Sequence, residues 1–94
     1  MLKAFYYWAK KQFPRVEISF QQQEEVSSCV LNYDLEHYLA RFTIWDDFSC
    51  VCEVLSVRDE TNLLTARYEL ENLDQAQDAL LAFDQYLGAL KALV

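Results

Sequence analysis

Arg41-Phe42-Thr43-Ile44-Trp45-Asp46-Asp47-Phe48-Ser49-Cys50-Val51-Cys52-Glu53-Val54-Leu55 is the stretch that decides how this chain folds. On each side of Asp46-Asp47 every second residue is apolar, the period of a half-buried strand, and the acidic pair is a break that suits a tight turn. The register of the resulting hairpin fixes which side chains share a face. An odd loop such as Asp46-Asp47-Phe48 sets Trp45 opposite Ser49, Thr43 opposite Val51, Arg41 opposite Glu53 and Leu39 opposite Leu55. One face is then Tyr38, Ala40, Phe42, Ile44, Cys50, Cys52, Val54 and Ser56, nearly all fit for burial. The other carries Leu39, Arg41, Thr43, Trp45, Val51, Glu53 and Leu55, with Arg41 and Glu53 expected as a cross-strand ion pair. An even loop would bury Glu53 beside Ala40 without a partner, at several kcal/mol. The odd loop is therefore expected, although its last position usually takes Gly and here holds Phe48.

The flanking segments extend this pattern. Leu2, Phe5, Tyr6, Ala9 and Phe13 have helical spacing over residues 2–13, and Pro14 closes that segment. Val16, Ile18 and Phe20 alternate over a first strand at 15–20, and the polar run 21–25 reads as a turn. Further strands are expected at 26–33, 38–45, 49–58 and 63–71, with turn formers at 32–36 and 59–62. Asn72 is placed as a helix N-cap, with Gln75 three residues on. Beyond it Leu73, Ala76, Leu80, Phe83, Leu87, Leu90 and Val94 form an apolar stripe. Gly88 weakens the last turns of this helix by about 1 kcal/mol relative to Ala. The fold class expected is α+β: one domain over residues 1–94, an antiparallel sheet of about five strands flanked by an N-terminal and a C-terminal helix.

Ninety-four residues, 53% of them hydrophobic, suffice for one core without metal or disulfide support. One Gly and one Pro leave no linker and no phosphate-cradling loop. The apolar runs fall short of the roughly 18 residues of a membrane span. Residues 1–8 lack the features of a secretory leader, so a cytoplasmic location is expected. Three cysteines then suggest free thiols, with Cys50 and Cys52 packing as small hydrophobes on one strand face.

The charge is −7 overall, but residues 17–84 hold all fifteen acids against Arg41, Arg58 and Arg67, a net of −12. Such a field repels nucleic acid and anionic lipid and steers a basic partner inward. Lys3, Lys10, Lys11 and Arg15 form no continuous basic face interleaved with aromatics. No catalytic residue, cofactor site or metal site is expected. Cys29, Cys50, Cys52 and His37 are the only soft ligands, without paired zinc spacing, and His37 has no nucleophile placed by a recognisable signature. What remains is recognition: Asp46, Asp47, Asp59 and Glu60 at hairpin tips as electrostatic contacts, with Trp45 and Phe48 as apolar anchors.

Arg41-x-Thr43-Ile44-Trp45-Asp46, then Cys50-x-x-Glu53-Val54-Leu55-x-Val57, followed by a strand and an amphipathic C-terminal helix, resembles small bacterial immunity proteins of the TriTu type. The resemblance is close over the hairpin and extends in layout over nearly the whole chain. It implies a non-enzymatic antidote that binds a cognate toxin domain delivered by contact-dependent growth inhibition or a related system. Many such toxins are basic nucleases, which an acidic inhibitor suits. The antidote is expected as a monomer or a homodimer; the rival reading is a small acidic secretion or assembly chaperone, dimeric through its last helix, or a protein-binding adaptor.

Overall fold

In the computed structural model, which describes residues 2–22 and 25–92, a five-stranded meander carries both helices on one face. The order is α1 (Leu2–Gln12), β1 (Glu17–Gln22), β2 (Ser27–Asp34), β3 (Tyr38–Trp45), β4 (Ser49–Ser56), β5 (Asn62–Glu69) and α2 (Leu73–Ala92). All neighbours pair antiparallel in the order β1-β2-β3-β4-β5, which is the α+β architecture expected. β1 begins two residues later than its alternation predicts, because residues 14–16 turn the chain after Pro14. Gln21 and Gln22 belong to β1 rather than to a turn. Of the turn predicted at 21–25, Gln23 and Glu24 lie outside the described residues, as do Leu93 and Val94 at the end of the helical stripe.

The central register is the one the odd loop requires, with Arg41 opposite Glu53, Thr43 opposite Val51 and Leu39 opposite Leu55. Every inward residue from Ala40 to Ile44 and from Cys50 to Ser56 is buried. The predicted Arg41–Glu53 ion pair does not close. Among the described residues, the only oppositely charged side chains within 4.0 Å are His37 and Glu36. Both Arg41 and Glu53 are solvent-exposed, where water competes well with so weak a pair.

Phe48 resolves the problem of the missing glycine. It takes the left-handed conformation itself, with φ at 64°, and its amide donates to the Trp45 carbonyl at 2.9 Å. Its ring is only 5% exposed and packs with the core. Burying a Phe ring is worth roughly 2 to 3 kcal/mol, against about 1 to 2 kcal/mol for left-handed backbone at a residue with a Cβ. The apolar gain wins. Phe48 is thus a clamp of the hairpin tip, and its ring is not at the surface where the anchor reading needed it.

Both helices follow their sequence stripes. Leu2, Phe5 and Ala9 are buried on α1, and Lys10 and Lys11 in its last turn favour the negative helix end. On α2, Ala76, Leu80, Phe83 and Leu87 are buried. Asn72 caps it by accepting the Gln75 amide at 2.9 Å, while the Gln75 side-chain oxygen accepts the Glu71 amide at 2.9 Å. Phe42 on β3 lies 6.1 Å from Phe5 and 6.0 Å from Phe83, centroid to centroid, so one sheet residue joins both helices. The three cysteines are free and buried. Burial pushes the Cys29 thiol up to about 12, and a hydrogen bond with Cys50, reinforced by burial, pushes the Cys52 thiol up. No helix among the described residues is long and apolar enough to cross a membrane.

Two stability outcomes are expected in urea unfolding. Phe48→Ala keeps the backbone strain and loses the ring, costing about 3 kcal/mol or more, whereas Phe48→Gly relieves the strain and is milder by about 1 kcal/mol. This reverses the usual order of Ala and Gly. A Cβ on Gly88 meets nothing within 4 Å, so Gly88→Ala stabilises by about 1 kcal/mol.

Candidate recognition surface

A meander puts successive hairpin tips at alternate ends of the sheet, and this separates the acidic residues predicted to act together. Asp46 and Asp47 turn the chain between β3 and β4, whereas Asp59 and Glu60 turn it between β4 and β5. The eight residues of β4 lie between the two tips, which places them roughly 25 Å apart. The four carboxylates therefore do not form one patch.

The Asp46–Asp47 tip is braced on both sides. The Asp46 amide donates to the Ser27 carbonyl and its carboxylate accepts the Ser27 amide, each at 3.1 Å, tying the tip to the start of β2. Asp47 Oδ1 accepts the Ser49 hydroxyl at 2.6 Å and the Ser49 amide at 2.9 Å. The hydroxyl above all, then the amide, holds the Asp47 carboxyl below the usual range. The residue is exposed.

Further acids converge on this end through pairings that the sequence does not display. Ser49 faces Glu69 across the β4–β5 pair, and the Leu70 amide donates to the Phe48 carbonyl at 3.1 Å. Glu69 and Glu71 thereby sit at the same end of the sheet, and Asp74 follows in the first turn of α2. All three are exposed. Sequence reading passed over them because they lie in the last strand and a helix cap, about 20 residues along the chain from the tip. Only the β4–β5 register brings them there.

Trp45 is beside this end on the open face, half-buried and directed away from the helices. The Arg67 guanidinium carbon is 6.0 Å from its ring centroid, at the outer limit of a cation–π contact. With Arg41, Thr43, Val51, Glu53 and Val30, Trp45 lines a shallow concavity of about 450 Å³. An indole bounded by apolar and hydrogen-bonding groups is the kind of feature that dominates binding energy.

The other tip is built differently. The Asp59 carboxyl is held below its usual range by Ser56, then by Thr61, and Glu60 takes φ 55°. The Val57 amide donates to the His37 carbonyl at 3.0 Å, so His37 borders this tip. His37 Nε2 approaches Glu36 Oε1 at 4.0 Å. No group of three or more His, Cys, Asp or Glu placed to hold a metal occurs among the described residues.

A family model described as Immunity protein TriTu matches residues 3–86. No curated protein matches the chain.

The depressed Asp47 carboxyl makes a testable contribution to stability. A group whose folded pKa lies below its unfolded value stabilises the fold above that unfolded value, ordinarily 3.8, and loses the effect as pH falls through the folded one. Asp47→Asn keeps an acceptor oxygen without the charge. The stability difference between wild type and variant is expected to be constant at neutral pH and to vanish in acid titrations below 3.8; a difference independent of pH would refute the charged cap.

Proposed function

The chain belongs to the TriTu immunity-protein family, and from that premise we propose that it protects its host cell by binding a cognate toxin domain in a stoichiometric complex. The proposed contact is the acidic end of the sheet, Asp46, Asp47, Glu69, Glu71 and Asp74, with Trp45 as the apolar anchor. The observation that carries this choice is the β4–β5 register, which sets Glu69 across from Ser49 beside the Asp47 tip. Carboxylates from the turn, from the end of β5 and from the start of α2 then lie at one end of the sheet. Their field draws in a basic surface and raises the association rate, while the desolvated indole supplies affinity.

The toxin class that fits is a nuclease with a basic active-site cleft, delivered by contact-dependent inhibition into the cytoplasm. Such a cleft binds phosphates, and a rank of fixed carboxylates occupies it in their place. Inhibition of this kind needs no catalysis by the antidote, so the protein is proposed to act by occlusion alone.

Co-expression with the toxic domain encoded immediately upstream, scored for growth rescue and for a one-to-one complex, tests the role. Charge reversal then locates the surface. Asp47, Glu69, Glu71 and Asp74 changed together to Lys are expected to slow association about tenfold or more at low salt and to flatten its salt dependence. At about 0.15 M salt, Asp59 and Glu60 changed to Lys at the far tip are expected to leave the rate within about twofold, since roughly 25 Å exceeds two Debye lengths of about 8 Å there. The opposite ranking would move the contact to the far end.

A further inference from the structure

Two helices do not fully cover five strands, and the strand left partly covered is an edge. α1 packs on β1 and β2, and Phe83 of α2 reaches Tyr33 and Phe42 on β2 and β3. The inner face of β5 is left half covered: Leu64 and Ala66 are half-buried and Tyr68 is 49% exposed. Leu64 and Tyr68, together with Ala79, Ala82 and Tyr86 of α2, border a trough of about 560 Å³. The outer edge of β5 also presents its unpaired amides and carbonyls over eight residues, without Pro or Lys to block pairing. β1, the other edge, is shorter and has its inner face under α1, with Tyr6 5.6 Å from Phe20.

We infer that β5 pairs antiparallel with β5 of a second copy about a twofold axis at Ala66, giving a continuous ten-stranded sheet whose two troughs merge between antiparallel α2 helices. This goes beyond the immunity role and does not depend on the toxin. A twofold axis normal to the sheet keeps all helices on one side, so inward residues oppose inward residues. With Ala66 facing its own copy, Leu64 lies opposite Tyr68 of the second copy, and Tyr68 opposite the second Leu64. These aromatic–aliphatic pairs cover Leu64 and the exposed Tyr68 on the inner face of the strand.

Charge complementarity selects the same register. On the open face Arg41, Glu53 and Thr65 form a row across β3, β4 and β5. The axis at Ala66 extends that row with Arg67 of the second copy, whose guanidinium spans the small Thr65 to reach Glu53. Glu53 has no oppositely charged side chain within 4.0 Å among the described residues, and Arg67, 6.0 Å from the Trp45 ring at the outer limit of a cation–π contact, exchanges that weak contact for Glu53 of the second copy by turning outward across the edge. The pairing occurs twice by symmetry. Moving the axis one residue, to Arg67, would set Arg67 against itself. With the axis at Ala66 the two acidic ends stay free at opposite corners of the sheet, so each copy retains its proposed toxin contact.

Sedimentation of the full chain at about 0.15 M salt should give twice the 11.1 kDa chain mass at the higher concentrations of a series reaching about 100 µM. Arg67→Glu is expected to raise the dissociation constant about tenfold, and adding Glu53→Arg in the same chain to recover most of that loss. Register is read by crosslinking. A Cys52→Ala background removes the free thiol opposite position 66 in the same chain. Directly opposed residues lie about 4.5 to 5.5 Å apart, within disulfide range, so in that background Ala66→Cys pairs with its own copy when an oxidant such as diamide accepts the two electrons and two protons of the thiols. Leu63→Cys, six residues from its copy along the ladder, should crosslink at least about tenfold more slowly. A chain that stays at 11.1 kDa throughout, or Leu63→Cys crosslinking as fast as Ala66→Cys, would overturn the assignment.

Discussion

The ring of Phe42, held between Phe5 of α1 and Phe83 of α2, is the contact on which the remaining architecture depends. It sits at the middle of the central strand and is fully buried. Because strand side chains alternate, placing Phe42 inward also places Ala40 and Ile44 inward and turns Leu39, Arg41, Thr43 and Trp45 out. One aromatic cluster therefore decides which face of the sheet the helices cover and which face is left open. A slip of one residue would put Arg41 under the helices, at a desolvation cost far larger than any turn preference.

The hairpin tip shows how that constraint overrides local chemistry. An odd loop is needed to keep both strands in phase, and its last position demands left-handed backbone. Phe48 accepts that conformation because its ring joins the core, and its carbonyl then accepts the Leu70 amide. The same residue that solves a folding problem fixes the end of β5 against the tip. Glu69, Glu71 and Asp74 are carried with it, so the acidic end is a by-product of core packing as much as of surface composition.

Much of the scaffold was legible in the chain. Binary alternation gave the strands, the apolar stripe and the Asn72 cap gave α2, and the avoidance of a buried Glu53 gave the central register. Boundaries moved by a few residues at β1, β4 and β5, where turns compete with pairing for the same residues. The candidate surface was legible only in part. The hairpin pattern placed Trp45, Asp46 and Asp47 at one end of the sheet, but the Arg41–Glu53 pair was expected to close and does not, and Phe48, expected as an apolar anchor, is buried. Each miss concerns a side-chain position set by solvent or by packing from distant segments.

The sequence by itself determined the element order, the period of each segment and the acidic charge, because these depend on neighbours a few residues apart. The tertiary structure alone decided where charges meet. It sent Asp59 and Glu60 to the far end of the sheet, brought Glu69 to Ser49 across the β4–β5 pair, and left the inner face of β5 only half covered by α2. The physical reason is that a meander reverses direction at every turn, so distance along the chain and distance in space are set by strand length and pairing, which no local pattern of residues encodes.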